Sequence, residues 1–432
     1  MFEVRDKPKM VERALLIGVR LIGKNGDDVE SLLIELTDLV NTLDIEVMET
    51  MAITIKKPHP HFFIGKGKAY AIIEQAKAHG YDCIVFDDPL TPAQQRNWEK
   101  ESKLCVIDRQ EVILDIFANR AQTKEAVLQV GLARMVYSLP RLTRAWTHLS
   151  RQRGGGSKMR GQGETQLEAD QRIVRDRIAS LKRRLEVVRA QRGTQRKRRM
   201  KKPVPSAALV GYTNAGKSSL LNRITGANIL AEDKLFATLD PTTRQVILPS
   251  GLKLLLTDTV GFVRKLPHNL VEAFKATLEE AVVADFLIHV LDVSNPEVEK
   301  HGETTLQVLK ELGADDKRIL TVFNKTDICE DSFAIKQLEV QFPDAEFVSL
   351  LNNEGIEQLL SRMDDLIETN STFGEYLFPF DRYDLISQLH RAGCVKEEQT
   401  RDQGVYISGF VSPAMLTKVA EFKLNGNKDN SV

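Results

Sequence analysis

SAALVGYTNAGKSSLLNRI, residues 206–224, is the stretch on which the fold of this chain turns. SAALVG is short, apolar and strand-like, whereas SSLLNRI has the spacing of an amphipathic helix. Between them GYTNAGKS, residues 211–218, matches G-x-x-x-x-G-K-[ST] in the strand–loop–helix context that this pattern requires. Gly211 and Gly216 permit a tight loop, in which Tyr212, Thr213, Asn214 and Ala215 can turn backbone N–H groups toward phosphate oxygens. Lys217 supplies positive charge to the β- and γ-phosphates, and Ser218 offers an oxygen to Mg²⁺. The helix N-terminus adds a favourable partial charge. A chance glycine-rich turn would lack the flanking strand and helix.

The loop by itself does not separate ATP from GTP. ILTVFNKTD, residues 319–327, places NKTD directly after a strand. Asp327 can accept from the N1–H and 2-amino groups that guanine has and adenine lacks. Asn324 then braces the loop, Lys325 lays its aliphatic stem along the base, and Thr326 lies between them. The expected nucleotide is GTP or its product GDP. Between the two motifs LKLLLTDTVGF ends a strand at Asp258, suited to a water-mediated Mg²⁺ contact. Thr259 and Val260 lead to Gly261, whose N–H can meet the γ-phosphate. Upstream, FATLDPTTRQVIL spans 236–248 and brings Phe236, Ala237, Thr238, Leu239 and Asp240 toward the nucleotide. Thr238 is the candidate second protein oxygen on Mg²⁺, with Thr242 and Thr243 as competitors. Lys217, Thr238 and Gly261 are the residues expected to act on the transferring phosphate. EFVSLLNNEG, residues 346–355, follows a strand and can place Ser349, Leu350 and Leu351 near the base.

Outward from this region the chain divides by pattern. Residues 1–121 alternate strand-like runs (ALLIGVRLI, IEVMETMAI, CIVFDD, LCVIDR) with helical ones, among them TPAQQRNWEKES with a Thr-Pro start. This predicts a parallel sheet covered by helices. Residues 122–202 read as a helical hairpin. Its second helix carries Val174, Ile178, Leu181, Leu185 and Val188 in a coiled-coil rhythm, with Leu167 one heptad earlier. The tip RQRGGGSKMRGQG, residues 151–163, holds five glycines. Residues 203–370 resume the strand–helix alternation after Pro203 and Pro205, and 371–432 form a small α/β module with a polar tail.

With 60 Lys or Arg against 60 Asp or Glu the formal net charge is zero, so affinity for nucleic acid requires local segregation. Residues 141–202 supply it, with twenty Lys or Arg against five Asp or Glu. A charge run is usually a solvated face, but this one surrounds a glycine-rich loop able to enter an RNA cavity, with Arg151, Arg153, Lys158 and Arg160 as tip contacts. Glu164 and Glu168 fit helix capping instead. The four cysteines are far apart and argue against a disulfide framework or zinc site. No apolar stretch reaches the roughly 18 residues a membrane helix needs. A cytoplasmic location is expected, with peripheral membrane association the alternative, and a monomer when free.

HFFIGKGKA (61–69), GGGSKMRGQGETQLEADQRIVRDRI (154–178), GYTNAGKS and FATLDPTTR together resemble the HflX family of ribosome-associated GTPases, across almost the whole chain. The resemblance implies an N-terminal α/β domain with a helical hairpin, then a Ras-like P-loop GTPase domain and a small C-terminal α/β module. It also implies binding to the 50S ribosomal subunit and its 23S rRNA, with the hairpin loop reaching toward the peptidyl-transferase centre, and splitting or rescue of 70S ribosomes. Two alternatives stand beside it: an assembly or remodelling factor using GTP only as a switch, and one with an added ATP-dependent RNA-unwinding activity. Residues 349–351 read SLL where the family usually carries Ser-Ala. Asn214 matches an asparagine that binds potassium in some related GTPases. Phe262 occupies the place where Ras-like enzymes carry a water-orienting glutamine. It cannot orient water, which predicts slow intrinsic turnover; it reads equally as a core residue beneath the switch.

Overall fold

The computed structural model describes residues 11–23, 28–144, 166–200, 204–226, 235–265, 280–329, 332–370, 372–411 and 413–424. Arg151, Arg153, Lys158, Arg160 and Glu164 lie outside these residues. Two compact units emerge. One draws on Met1–Val188, Glu232–Asp240 and Arg264–Lys275, the other on Arg189–Ala231, Pro241–Val263 and Ala276–Val432.

In the first unit, β1 (Arg13–Leu21), β2 (Glu46–Ile55), β3 (Cys83–Phe86) and β4 (Cys105–Asp108) form a sheet of order β2-β1-β3-β4, parallel throughout. The alternation in the sequence requires this, because each strand is followed by a helix that returns the chain. The helices are α1 (Val29–Asn41), α2 (Lys66–Ala78) and α3 (Pro92–Ser102). The Thr-Pro start of α3 closes a capping box: Gln94 N donates to Thr91 Oγ1 at 3.2 Å and Thr91 N to Gln94 Oε1 at 2.9 Å. A fourth helix, α4 (Arg109–Arg120), begins immediately after β4 and was not foreseen. Asp108 ends the strand and also caps the helix, accepting from Glu111 N at 3.1 Å, so no turn residue marks the junction. Then come α5 (Lys124–Ser138), capped by Thr123, and α6 (Gln166–Met200), which belongs to this unit as far as Val188; these are the two helices expected for the hairpin. Along α6 Leu185 is buried and Val174, Ile178, Leu181 and Val188 are half-buried, while Ile173 and Val187 off that stripe are exposed.

The second unit contains β5 (Ser206–Gly211), α7 (Lys217–Thr225), β6 (Thr242–Ile247), β7 (Lys253–Asp258), β8 (Phe286–Asp292), α8 (Val298–Glu311), β9 (Arg318–Asn324), α9 (Ser332–Gln341), β10 (Glu346–Phe347) and α10 (Ile356–Asn370). Its sheet runs β10-β9-β8-β5-β7-β6, and only the β6–β7 pair is antiparallel. Leu209, Leu220, Leu254, Leu256, Ile288, Val322 and Leu359 fill its core. The C-terminal ends of β5, β7 and β9 carry the three motif loops, the position where open parallel sheets bind ligands.

A three-stranded antiparallel sheet of β11 (Thr372–Phe378), β12 (Val395–Arg401) and β13 (Gly404–Val411), order β11-β13-β12, closes the unit with α11 (Tyr383–Ala392) and α12 (Pro413–Val419). Its own core includes Tyr376, Phe378, Ile386, Leu389 and Ile407. The module abuts the β6–β7 turn closely at Gly393, where a Cβ would lie 2.7 Å from Gly251 O.

Candidate functional site

The phosphate loop closes at the end of β5. Gly211 (φ +148°) has no room for a side chain, since a Cβ would lie 2.2 Å from Val290 O. Asn214 adopts φ 60°, a conformation that asparagine tolerates better than most residues. Gly216 (φ +95°) is the left-handed residue just before α7, and its Cα faces Asn324 Nδ2, which a Cβ would approach to 2.2 Å.

Lys217 is the first residue of α7 and is buried. Its ammonium donates back to Tyr212 O at 2.6 Å and Gly211 O at 3.1 Å, which holds the positive charge over the loop. Burial pushes its pKa down to about 8, while the Asp258 carboxylate works against that shift. Ser218 Oγ donates to Asp258 Oδ2 at 2.6 Å, so the two motifs are joined at this atom pair. Thr213 Oγ1 is buried and has no hydrogen-bond partner among the described residues.

Phe262 is 1% exposed, so its ring belongs to the core. Its backbone has a further role: Phe262 N donates to Gly211 O at 3.1 Å and Thr213 N donates to Phe262 O at 2.9 Å. This parallel bridge zips the loop after β7 to the phosphate loop. It draws Gly261 so close to Thr213 that only glycine fits. Thr259 Oγ1 donates to Leu209 O at 2.6 Å and anchors the same loop to β5; Val260 is buried beside it.

The NKTD loop is tied to both neighbours. Asn324 Nδ2 donates to Ala215 O at 2.9 Å. Lys325 (φ 67°) pairs with Asp292 at 2.7 Å, a partner that sequence reading missed although it too ends a strand. Thr326 N donates to Val348 O at 3.4 Å. Ser349 Oγ donates to Asp327 Oδ1 at 2.6 Å, and Ser349 and Glu354 exchange backbone hydrogen bonds across the tight loop between them. The SLL departure therefore leaves the serine in contact with Asp327. Leu350 lies near Gly216, and Leu351 is exposed.

Two histidines border the loop, and sequence reading did not single them out. The His301 ring stacks on Tyr212 at 3.7 Å between centroids, and His289 is buried on β8. Burial, with the Lys217 charge adding to it, lowers the His289 pKa to about 4.

Residues 236–240 are found in the first unit. Phe236 and Leu239 are buried, and Phe236 packs edge-on against Phe117 at 4.6 Å. The Asp240 carboxylate accepts from Gln122 N at 3.0 Å and Thr123 N at 2.9 Å, and also from the Thr123 hydroxyl, at the start of α5. Ala237 and Thr238 lie between these anchors. Thr242 and Thr243 are built into β6, where Thr243 Oγ1 contacts Thr257 Oγ1 at 2.9 Å.

Three family models match the chain. Residues 30–118 match a family described as GTP-binding GTPase N-terminal, 120–199 the GTP-binding GTPase Middle Region, and 206–325 the 50S ribosome-binding GTPase family. The GTPase HflX of Akkermansia muciniphila is 47% identical over 433 residues, covering 98% of this chain and 99% of that protein. The GTPase HflX of Escherichia coli is 42% identical over 401 residues, covering 92% and 93% respectively. A GTP-binding protein from Sulfolobus solfataricus, solved in complex with GDP, is 25% identical with a TM-score of 0.45, covering 82% of this chain and 98% of that one. With two such relatives matched end to end, the chain belongs to the HflX family of P-loop GTPases and is a GTP hydrolase.

Proposed function

We propose that this GTPase docks on the large ribosomal subunit and couples its GTP state to splitting or rescue of 70S particles. The observation that carries the reading is the joining of three loops at one strand-end face: Ser218 to Asp258, Ala215 to Asn324, and Asp327 to Ser349. Residues 211–218 cradle the triphosphate, Asp327 reads guanine with Asn324, Lys325 and Thr326 shaping its loop, and Ser349, Leu350 and Leu351 border the base. Asp258, Thr259, Val260 and Gly261 face the γ-phosphate. The Ser218 and Asp258 oxygens are hard donors that suit Mg²⁺, which when bound would neutralise charge on the β- and γ-phosphates. Thr238 would be the second protein oxygen on it, ahead of its competitors Thr242 and Thr243, which are built into β6, and Phe236 to Asp240 would be the segment that responds to it.

The match of residues 206–325 to a 50S ribosome-binding GTPase family supports the ribosomal partner. The excess of positive charge over residues 141–202 supports contact with 23S rRNA through Arg151, Arg153, Lys158 and Arg160. The boundaries 1–121, 122–202, 203–370 and 371–432 are proposed as functional segments. The buried Phe262 ring supplies no group to orient water, so intrinsic turnover is slow and a partner, or K⁺ at Asn214, completes the site. No helix among the described residues is long and apolar enough to cross a membrane. The protein acts in the cytoplasm and is a monomer when free.

Sucrose-gradient analysis of 70S particles with GTP against a non-hydrolysable analogue tests the reading. Subunit release with the wild type, and its loss together with 50S co-sedimentation after charge reversal at the four tip residues, is expected. No GTP-dependent binding to 50S or 70S particles refutes it.

A further inference from the structure

The loop at residues 346–355, which borders the base, is held to α7, the helix that starts at the phosphate loop. Arg223 Nε donates to Asn353 Oδ1 at 2.7 Å, joining residues 130 positions apart in sequence. Arg223 lies six residues after Lys217, so about 9 Å of helix axis separates the phosphate end of α7 from the point where it meets this loop. Leu350 makes a second attachment. It packs on the core that contains Leu220 and Leu221 of α7, and a Cβ at Gly216 would lie 3.5 Å from its Cδ1. Phosphate loop and base loop thus share one support.

Within the base loop the contacts converge on Ser349. Ser349 N donates to Glu354 O at 3.1 Å and Glu354 N to Ser349 O at 3.0 Å, which closes residues 350–353 into a turn. Asn353 completes it at φ 63°, a left-handed conformation that asparagine tolerates. The turn aims Asn352 N at Ser349 Oγ, to which it donates at 3.1 Å. A hydroxyl has a single proton, and here it goes to Asp327 Oδ1 at 2.6 Å. The seating of the turn therefore sets the direction from which Asp327 is pinned, and with it the aim of the other carboxylate oxygen.

We infer that Arg223 is a positioning residue for guanine recognition, acting through Asn353 and Ser349 on Asp327. Its role rests on the proposed reading of guanine by Asp327. Guanine offers an N1–H and a 2-amino donor, and both hydrogen bonds form only when the carboxylate is correctly aimed. Hypoxanthine keeps the N1–H and lacks the 2-amino group. A mis-aimed carboxylate therefore costs a guanine nucleotide more than an inosine one.

The test uses the full chain with mant-GDP and mant-labelled inosine diphosphate, comparing wild type, Arg223→Gln, Arg223→Met, Asn353→Gly and the double variant of the last two. Glutamine puts an amide N–H where the arginine Nε stands, so it keeps the donor without the charge. Methionine keeps the stem and removes both. Glycine preserves the left-handed turn and removes the side-chain acceptor. Loss of one hydrogen bond predicts about a fivefold drop in GDP affinity for Arg223→Met and for Asn353→Gly, with inosine diphosphate within about twofold. Arg223→Gln stays close to wild type, and the double variant is no worse than the singles. Equal losses for both nucleotides, unchanged GDP affinity, or a loss in Arg223→Gln as large as in Arg223→Met overturns the inference. A wild-type chain with no preference for GDP over inosine diphosphate overturns the reading of Asp327 instead, so the two failures are distinguishable.

Discussion

Replacing Gly261 with alanine tests the contact between the phosphate loop and the loop after β7. The new Cβ would lie 2.7 Å from Thr213 Cα, 2.8 Å from Thr213 Cγ2 and 2.9 Å from Lys217 Nζ. Ordinary contact begins at 3.4 Å, and the nearest obstacle is backbone, so the loop must retreat by about 0.7 Å. The Phe262 bridge at 2.9 and 3.1 Å resists that movement and passes the strain to the Gly261 N–H. Misplacement on the scale of 1 Å costs roughly 10²-fold in rate, or about 2.7 kcal/mol of barrier. Single-turnover GTP hydrolysis should therefore fall roughly a hundredfold by that argument. GDP affinity, which does not involve this N–H, stays close to wild type. If the folded variant binds GTP and hydrolyses it within twofold of the wild-type rate, the crowding at Gly261 does not control the chemistry.

Other outcomes follow from the same geometry. Asn324→Ala removes the donor to the buried Ala215 carbonyl; an orphaned buried acceptor costs about 1–3 kcal/mol, so mant-GDP affinity should weaken roughly 5- to 150-fold in fluorescence titration. Lys217 is held near pKa 8, and a triphosphate needs its ammonium. GTP affinity should thus be flat below about pH 8 and fall by up to tenfold per unit above it, a profile that calorimetry across pH 7–10 reads directly. His289 has its pKa lowered to about 4 from 6.5, so the unfolded chain binds the extra proton between those values and stability is lost as pH falls through that window. The full loss is about 3 kcal/mol, and His289→Leu should flatten the pH dependence of urea unfolding between pH 6.5 and 4.

Much of this was legible because the signals are local. The G-x-x-x-x-G-K-[ST] run, the NKTD tetrad and DTVG each sit on a strand end, and strand ends can be read from apolar runs closed by turn residues. α4 was missed for the same reason in reverse: Asp108 serves as both strand end and helix cap, so no turn separates them. The Ser349 contact with Asp327 was weakly signalled, because the leucines at 350 and 351 depart from the familiar loop while the serine does not. Asp292, which pairs with Lys325, carries no motif that reading residue by residue would find.

From the amino-acid order alone came the α/β class, the parallel first sheet, the nucleotide loops and their sequence along the chain. Short-range rules govern all of these: hydrophobic period, glycine at turns, polar caps at helix starts. Tertiary structure alone decided that Phe262 is core while its backbone bridges two loops, that Asp240 accepts from the Gln122 and Thr123 N–H groups just ahead of α5, and that Glu35 grips Arg264. Such pairings join residues as much as 229 positions apart, where burial and charge balance, not spacing, choose the partner.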